Sequence, residues 1–254
     1  MPMKGWRDKI FHLLPSFIKK QIIPSYFEIN NFVEQAASEI PAESHVLDAG
    51  AGQCLYKPFF KQHEYIAVDT TWGDDNWDYS QLDFICDLEK LPFPDNKFDA
   101  VICTQVLEHV KEPQLVLDEA FRALKPGGVI YLSAPQGWGI HQQPHDYFRF
   151  TNHGLQHLFE KSGFNHFDIS PSCGYFGYLA NRLTVFPKTL FWQIKNRWMR
   201  LIMFPLELLS YFFFVLIFPL MLNAMDSLDR QRDYTLNYLV KGVKPAKPEG
   251  QPNV

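Results

Sequence analysis

The chain has 254 residues, of which 46% are hydrophobic and 16% aromatic, enough to close one sizeable core with an appendage. Its formal net charge of -4 offers no broad basic face, so a nucleic-acid partner is not expected. The four cysteines stand apart without a C-x-x-C pair, which favours a reducing cytoplasm and argues against zinc, so no metal ligand set is expected.

Residues 1–43 are predicted to form N-terminal helices. Apolar residues recur at helical spacing in two runs, and Pro24 and Pro41 delimit the second run. The apolar centre of the first run is interrupted by His12 and followed by Pro15, unlike the centre of a signal peptide. Export is therefore not expected, and we expect a cytoplasmic protein.

Strands and helices alternate through residues 44–175. Strands are expected at Val46, Tyr65 and Phe84, over Phe98 to Cys103 and over Val129 to Ala134, and helices near Leu55 to Gln62 and from Pro113 to Leu124. This alternation predicts an α/β fold with a parallel sheet covered on both faces. A further helix is expected from Asn152 to Ser162, with Thr151 as its N-cap.

A glycine turn follows the first predicted strand. The strand ends at Asp48, and Gly50 and Gly52 let the backbone turn sharply and approach a ligand without a Cβ in the way. About twenty residues further on, the second strand ends at Asp69, where a carboxylate could grip a ribose diol. The two strand ends together predict a site for an adenosine-like ligand.

Six motifs follow one another in a fixed order between His45 and Phe164. They are Asp48-Ala49-Gly50-Ala51-Gly52-Gln53-Cys54, Asp69, Cys86-Asp87-Leu88 with Leu91-Pro92-Phe93, Phe98-Asp99-Ala100-Val101, Val106-Leu107-Glu108-His109-Val110 and Leu124-Lys125-Pro126-Gly127-Gly128. With these motifs the segment resembles the class I S-adenosylmethionine-dependent methyltransferases of type 11. The resemblance implies a Rossmann-like seven-stranded sheet flanked by helices. It also implies S-adenosylmethionine as the cofactor.

The resemblance assigns cofactor contacts to individual positions. Gly50 and Gly52 would pass the methionine part, Asp69 would bind the ribose hydroxyls, Asp87 would accept the adenine amino group, and Leu88 would lend its backbone amide to the adenine edge. The family pattern adds two more positions, namely Asp48 at the head of the first motif and Gln105, which would face the methionine part. The chain departs from the pattern at Cys54, where many relatives have a third glycine.

Three histidines are candidate general bases, because an acceptor hydroxyl or amine must lose a proton. His109 follows the fourth strand, and His141 and His145 lie in the loop that follows the fifth, at the edge of the sheet where ligands bind. The string from His145 to Thr151 also resembles one found in a subset of the family. Alternatively, Asp146 and Arg149 simply pair and hold the loop.

Residues 176–232 form an apolar insertion before the predicted last strand, residues 233–244, and a flexible tail, residues 245–254. The insertion is long enough to cross a membrane, but a single crossing would place the last strand on the wrong side. A shallow hairpin broken at Pro205 or Pro219, helices lying in the interface, and a buried cap or dimer contact all remain open. We expect peripheral or monotopic contact with the inner face of the membrane.

The expected function is transfer of a methyl group to a small-molecule, lipid or glycan-type acceptor. One alternative is a non-catalytic, methyltransferase-like adaptor at the membrane. The other is a nicotinamide-dependent oxidoreductase, but the dinucleotide-binding motif of that class requires a glycine at the position of Leu55.

Overall fold

The computed structural model describes residues 19, 24–74 and 76–246. The first predicted N-terminal helix and most of the predicted tail lie outside the described residues. The chain divides into two compact units. The larger unit comprises Ile29–Pro171 and the segment from Asn237 onward, and the smaller comprises Ser172–Leu236 with the residues before Ile29.

The larger unit contains a seven-stranded sheet with the order β3-β2-β1-β4-β5-β7-β6. The strands β1 to β5 run parallel to one another, and β7 is antiparallel to both β5 and β6. The strands are β1 (His45–Ala49), β2 (Glu64–Asp69), β3 (Phe84–Ile85), β4 (Phe98–Thr104), β5 (Leu124–Pro135), β6 (His166–Pro171) and β7 (Asn237–Val243). The predicted Rossmann-like seven-stranded sheet with an antiparallel last strand is confirmed.

Helices cover both faces of this sheet. They are α1 (Pro24–Glu39), whose residues from Ile29 onward belong to the larger unit, α2 (Pro113–Ala123) and α3 (Asn152–Ser162). Successive strand residues point to opposite faces, so Val46 packs in the core that includes α1, whereas Leu47 packs in the core that includes α2 and α3. Thr151 caps α3 by accepting a hydrogen bond from the amide of Gly154 at 3.1 Å, as predicted.

The helix predicted near Leu55 to Gln62 is much shorter than expected. Only a 3-10 helix, Lys57–Phe60, forms between β1 and β2. Cys54 adopts a left-handed conformation with φ of 55°, which a right-handed helix cannot contain, and β2 already begins at Glu64. The nine residues between these two points form turns and the 3-10 helix.

The smaller unit is a helical hairpin. Its helices are α4 (Tyr175–Phe191), α5 (Arg197–Tyr211) and α6 (Phe218–Met225), with a π-helical turn at Phe212–Ile217 joining α5 to α6. At the base of the hairpin, Asp226 accepts hydrogen bonds from the amides of Gly174, at 2.9 Å, and Gly177, at 2.6 Å. An acidic side chain thus satisfies the free amides at the N-terminus of α4.

The chain from Arg197 to Leu228 stays helical, so the break expected at Pro205 or Pro219 is absent from this described segment. Pro219 cannot donate a hydrogen bond to the carbonyl four residues earlier, and the π-helical turn immediately before it absorbs the mismatch. The hairpin turns instead at residues 192–196, between α4 and α5.

Candidate active site

The glycine turn after β1 has a conformation that only glycine supplies without strain. Gly50 has a φ of 89°, and its amide donates to the carbonyl of Val68 at 2.9 Å, which ties the turn to the end of β2. A Cβ on Gly50 would lie 2.2 Å from Cγ2 of Val106, the residue where the chain leaves β4. The turn therefore passes in direct contact with the end of β4.

Asp69, at the end of β2, lies beside this turn. Its Oδ2 accepts a hydrogen bond from the amide of Gly52 at 2.8 Å, and its Oδ1 accepts one from the amide of Thr71 at 2.7 Å. Two backbone donors hold the carboxylate in a fixed orientation while the side chain remains partly exposed. The structure thus brings Gly52 and Asp69 together, as an adenosine site at two neighbouring strand ends requires.

Asp48 lies deeper than the other predicted cofactor-binding residues. It is 1% exposed, and one of its oxygens accepts a hydrogen bond from the hydroxyl of Tyr65. Burial raises the pKa of Asp48 to about 7, although the hydrogen bond from Tyr65 acts in the opposite direction. Asp48 therefore supports the turn from within the core, and direct contact with a cofactor stays a prediction.

The remaining predicted cofactor-binding residues lie along the same edge of the sheet. Asp87 is exposed and Leu88 is buried just after β3, where Oδ1 of Asp87 accepts the amide of Glu89 at 2.9 Å. Gln105 follows β4 with a φ of 55°, and its side-chain amide donates to the hydroxyl of Ser133 on β5 at 3.1 Å. Their contacts with adenine and methionine groups stay predictions.

The three candidate bases are close to one another. The rings of His109 and His141 meet edge to face with centroids 4.7 Å apart, and Nδ1 of His109 donates to the backbone carbonyl of His145. That hydrogen bond leaves the lone pair on Nε2 of His109. Partial burial, the largest influence, lowers the pKa of His109 and so disfavours the charged form of the ring.

The pairing of Asp146 and Arg149 holds the loop after β5. Nη1 of Arg149 donates to Oδ1 of Asp146 at 2.6 Å and Nη2 donates to Oδ2 at 2.8 Å, while the other guanidinium hydrogens reach carbonyls of Trp138, Gly139 and Phe148. The hydrogen bonds from Arg149, the largest influence, lower the pKa of Asp146 to about 2. The guanidinium of Arg149 therefore donates its hydrogen bonds within the loop. This agrees with the alternative stated from the sequence, in which Asp146 and Arg149 pair and hold the loop.

Two residues at this edge were missed by sequence reasoning. Trp72, in the loop after β2, is 49% exposed and stacks on the ring of His145 with centroids 4.6 Å apart. The aromatic-rich string that follows Asp69 was the available signal. Glu108 is fully buried beside His109, and nothing in the sequence distinguishes it from a glutamate on the surface.

Comparison with known proteins finds methyltransferase sequences that are similar to part of this chain. Residues 47–132 match the family model described as a methyltransferase domain. The chain is 40% identical over 88 residues to a demethylmenaquinone methyltransferase of Bacillus licheniformis, covering 33% of this chain and 38% of that protein. It is 28% identical over 99 residues to a ubiquinone biosynthesis O-methyltransferase of Coxiella burnetii, covering 35% and 42% respectively. The chain thus spans less than half the length of these curated relatives.

A solved structure extends the similarity of fold to most of the chain. An S-adenosylmethionine-dependent methyltransferase from Archaeoglobus fulgidus superposes with a TM-score of 0.54 and 15% sequence identity. The match covers 85% of this chain and 93% of that chain. At this level of identity the match concerns the fold alone.

Proposed function

Because residues 47–132 match the model of a methyltransferase domain, we propose that this chain transfers a methyl group from S-adenosylmethionine to a small-molecule acceptor. The observation that carries the proposal is the contact between the glycine turn and the carboxylate of Asp69. Backbone amides at one strand end and a fixed carboxylate at the next are the groups that a nucleoside-bearing cofactor needs.

Methyl transfer is an in-line displacement at the carbon bound to the sulfonium. The leaving group is a neutral thioether, which needs no acid, so placement of the acceptor atom behind the methyl group supplies most of the catalysis. An acceptor hydroxyl or amine must also lose a proton, and the free lone pair on Nε2 of His109 can take it. An acceptor carbon that is already nucleophilic needs no base.

The loops at this edge favour an acceptor with an apolar or aromatic part. Trp72, Ile140, Tyr147 and Phe148 are all exposed there, between 38% and 75% of their surface. The names of the two curated relatives place them in the biosynthesis of quinones, which are ring compounds of this character. We infer an amphipathic acceptor, with lipid-linked or glycan-linked molecules as variants of the same class.

Association with a membrane is a second part of this proposal. One helix among the described residues, Arg197–Leu228, is long and apolar enough to cross a bilayer, with a mean hydropathy of 2.3 and 11% of its most apolar window buried. Its exposed apolar residues occupy several sides rather than one stripe, which is typical of a helix in lipid. They include Met199, Leu201, Phe204, Leu206, Leu208 and Leu209.

Charge at the turn of the hairpin indicates which surface the helices meet. Lys195, Arg197 and Arg200 are exposed beside Trp192 and Trp198, which are 74% and 72% exposed. Cations with tryptophans are suited to the boundary between anionic headgroups and hydrocarbon. We therefore propose that the protein is cytoplasmic and contacts the inner face of the membrane through this hairpin.

The cofactor part is tested first by calorimetry on the full chain in mild detergent. Titration with S-adenosylmethionine, with its demethylated product and with a nicotinamide dinucleotide should give micromolar binding for the first two alone. Transfer of a radiolabelled methyl group into membrane lipid extracts, followed by chromatography, then identifies the acceptor class. A folded protein that binds neither sulfur ligand contradicts the methyltransferase proposal, and binding of the nicotinamide ligand would indicate an oxidoreductase.

A further inference from the structure

A buried carboxyl group next to the candidate bases has no hydrogen-bond partner among the described residues. Glu108 lies in the 3-10 helix Leu107–His109 after β4 and is 0% exposed, yet neither of its side-chain oxygens is hydrogen-bonded. A buried polar group left without a partner costs roughly 1–3 kcal/mol, so its retention calls for an explanation.

Two imidazole rings lie beside this carboxyl group. Nε2 of His109 is 3.8 Å from Oε1 of Glu108, and one ligand atom each from Glu108, His109 and His141 all lie within 4.8 Å of one another. In a tetrahedral site with metal–ligand bonds near 2.0–2.1 Å, neighbouring ligand atoms are about 3.3 Å apart. To share one cation, the distances between these ligand atoms would have to shorten by at most about 1.5 Å.

The outer contacts of both rings are those of metal-binding histidines. Nδ1 of His109 donates to the carbonyl of His145, and Nδ1 of His141 lies 3.2 Å from the carbonyl of Gly139. The carbonyl of His145 fixes the proton of His109 on Nδ1 and leaves the lone pair on Nε2. Nδ1 of His141 also lies 3.5 Å from Nη2 of Arg149, and a proton on this Nδ1, directed to Gly139, would leave Nε2 of His141 to the metal. Histidines that bind metals nearly always hold the other ring nitrogen in this way.

Arg149 does not take the place of a cation here. Its guanidinium is itself paired with Asp146. Both carboxylate oxygens of Asp146 are bonded to that guanidinium, so the charge of Arg149 is balanced within the loop. The oxygens of Glu108 remain available to a ligand.

We propose that Glu108, His109 and His141 bind one divalent transition-metal ion. Two neutral imidazoles and one carboxylate form the ligand set of catalytic zinc sites, which keep a further position open for water or substrate. The partial exposure of the two histidine side chains, 14% for His109 and 35% for His141, gives the ion a path to the site.

The metal also has a role in the proposed reaction, and this role rests on the proposed function. An acceptor hydroxyl bound at the open position would lose its proton more readily, to water or to a base other than His109, whose Nε2 lone pair would bind the metal. The resulting oxygen anion then forms a bond to the methyl carbon while the carbon–sulfur bond breaks and its electron pair stays on sulfur. No redox change is involved, which suits Zn²⁺.

The test is metal binding by the full chain, prepared without a polyhistidine tag. Zn²⁺ is titrated in competition with a chromophoric chelator, and metal content is measured after dialysis. We expect one equivalent of Zn²⁺ per chain, with affinity reduced at least about tenfold in Glu108→Gln and in His141→Ala. His141→Ala retains the backbone hydrogen bond from residue 141 to Asp146, so it should fold even if Glu108→Gln does not. His153→Ala removes an exposed histidine on α3 and is the matched control.

The absorption spectrum of the Co²⁺-loaded protein and the binding of S-adenosylmethionine complete the test. The Co²⁺-loaded protein should show tetrahedral bands without a thiolate charge-transfer band, because no cysteine belongs to the ligand set. A wild-type chain that binds no Zn²⁺, or variants that bind it as wild type does, would overturn the inference. S-adenosylmethionine binding measured on the same samples separates this failure from failure of the proposed function.

Discussion

The backbone amide of Gly52 donates a hydrogen bond of 2.8 Å to Oδ2 of Asp69, joining the turn after β1 to the end of β2. The residue that allows the backbone to turn is thus also the residue that orients the carboxylate. We therefore expect a substitution at Gly52 or at Asp69 to affect both the conformation of the turn and the binding of a ligand.

Asp69→Asn should weaken S-adenosylmethionine binding about 10- to 100-fold, because the charged hydrogen-bond acceptor that we expect to bind the ribose becomes neutral. Calorimetry on the folded variant measures the change, with Asp168→Asn as the control. Asp168 is exposed on β6 and bonds to Ser170, so its variant should bind as wild type does. Unchanged affinity in Asp69→Asn would remove Asp69 from the cofactor site.

Gly50→Ala should reduce the free energy of unfolding by roughly 3 kcal/mol or more, because it combines a left-handed backbone with a clash against Val106. Gly127→Ala separates the two causes. Gly127 has a φ of 82° and nothing within 4 Å of an added Cβ, so that variant should lose only about 1–2 kcal/mol.

Denaturant unfolding of the double variant Gly50→Ala with Val106→Ala measures the clash directly. Removing the Cγ atoms of Val106 should recover about 1 kcal/mol or more relative to additive losses. Strictly additive losses would show that the backbone conformation alone requires glycine at this position.

Asp48 should make the folded state less stable as pH rises. Its pKa is raised from 3.8 to about 7 by burial, so the folded protein holds a proton that the unfolded chain has released between these pH values. The unfolding free energy should therefore fall from about pH 4 to about pH 7, by on the order of 4 kcal/mol, and then level off. Tyr65 and Asp69 are the charged or polar groups that face it, and Asp69 raises the pKa further.

Comparison with Asp48→Asn isolates this contribution, since asparagine can still accept the hydrogen bond from Tyr65. Urea unfolding across the pH range should give a flatter profile for the variant, and the variant should be the more stable protein at pH 8. An identical slope in both proteins would show that Asp48 is ionised in the folded state.

The sequence predicted the sheet and its strand ends because both depend on local signals. Apolar runs that end at Asp48 and Asp69 are visible in the chain, and so is the glycine turn between them. The stacking of Trp72 on His145 joins loops that are distant in sequence, and the burial of Glu108 depends on the packing around it, so no local sequence pattern predicts either feature. The prediction of a full helix near Leu55 was wrong for a similar reason, because the left-handed conformation of Cys54 is set by the turn as a whole.

The hairpin should bind lipid vesicles, and its most exposed apolar residue offers a sharp test. Ile202 on α5 is 77% exposed, and an aspartate there would place a charge in hydrocarbon, which costs about 2.5–3.5 kcal/mol or more. Ile202→Asp should therefore lose flotation with vesicles that contain phosphatidylglycerol. Ile140→Asp is the matched control, because Ile140 is 75% exposed in the loop after β5 and its variant should float as wild type does.

Charge reversal at Arg197 and Arg200 separates the electrostatic part of vesicle binding from the apolar part. The Arg197→Glu, Arg200→Glu double variant should bind anionic vesicles more weakly than wild type at low salt, and the difference should shrink as salt is added. Binding to pure phosphatidylcholine vesicles should change little, because it rests on apolar area alone. If the wild-type chain instead remains in the aqueous fraction as a stable dimer, the exposed helices bury one another, and contact with the membrane is excluded.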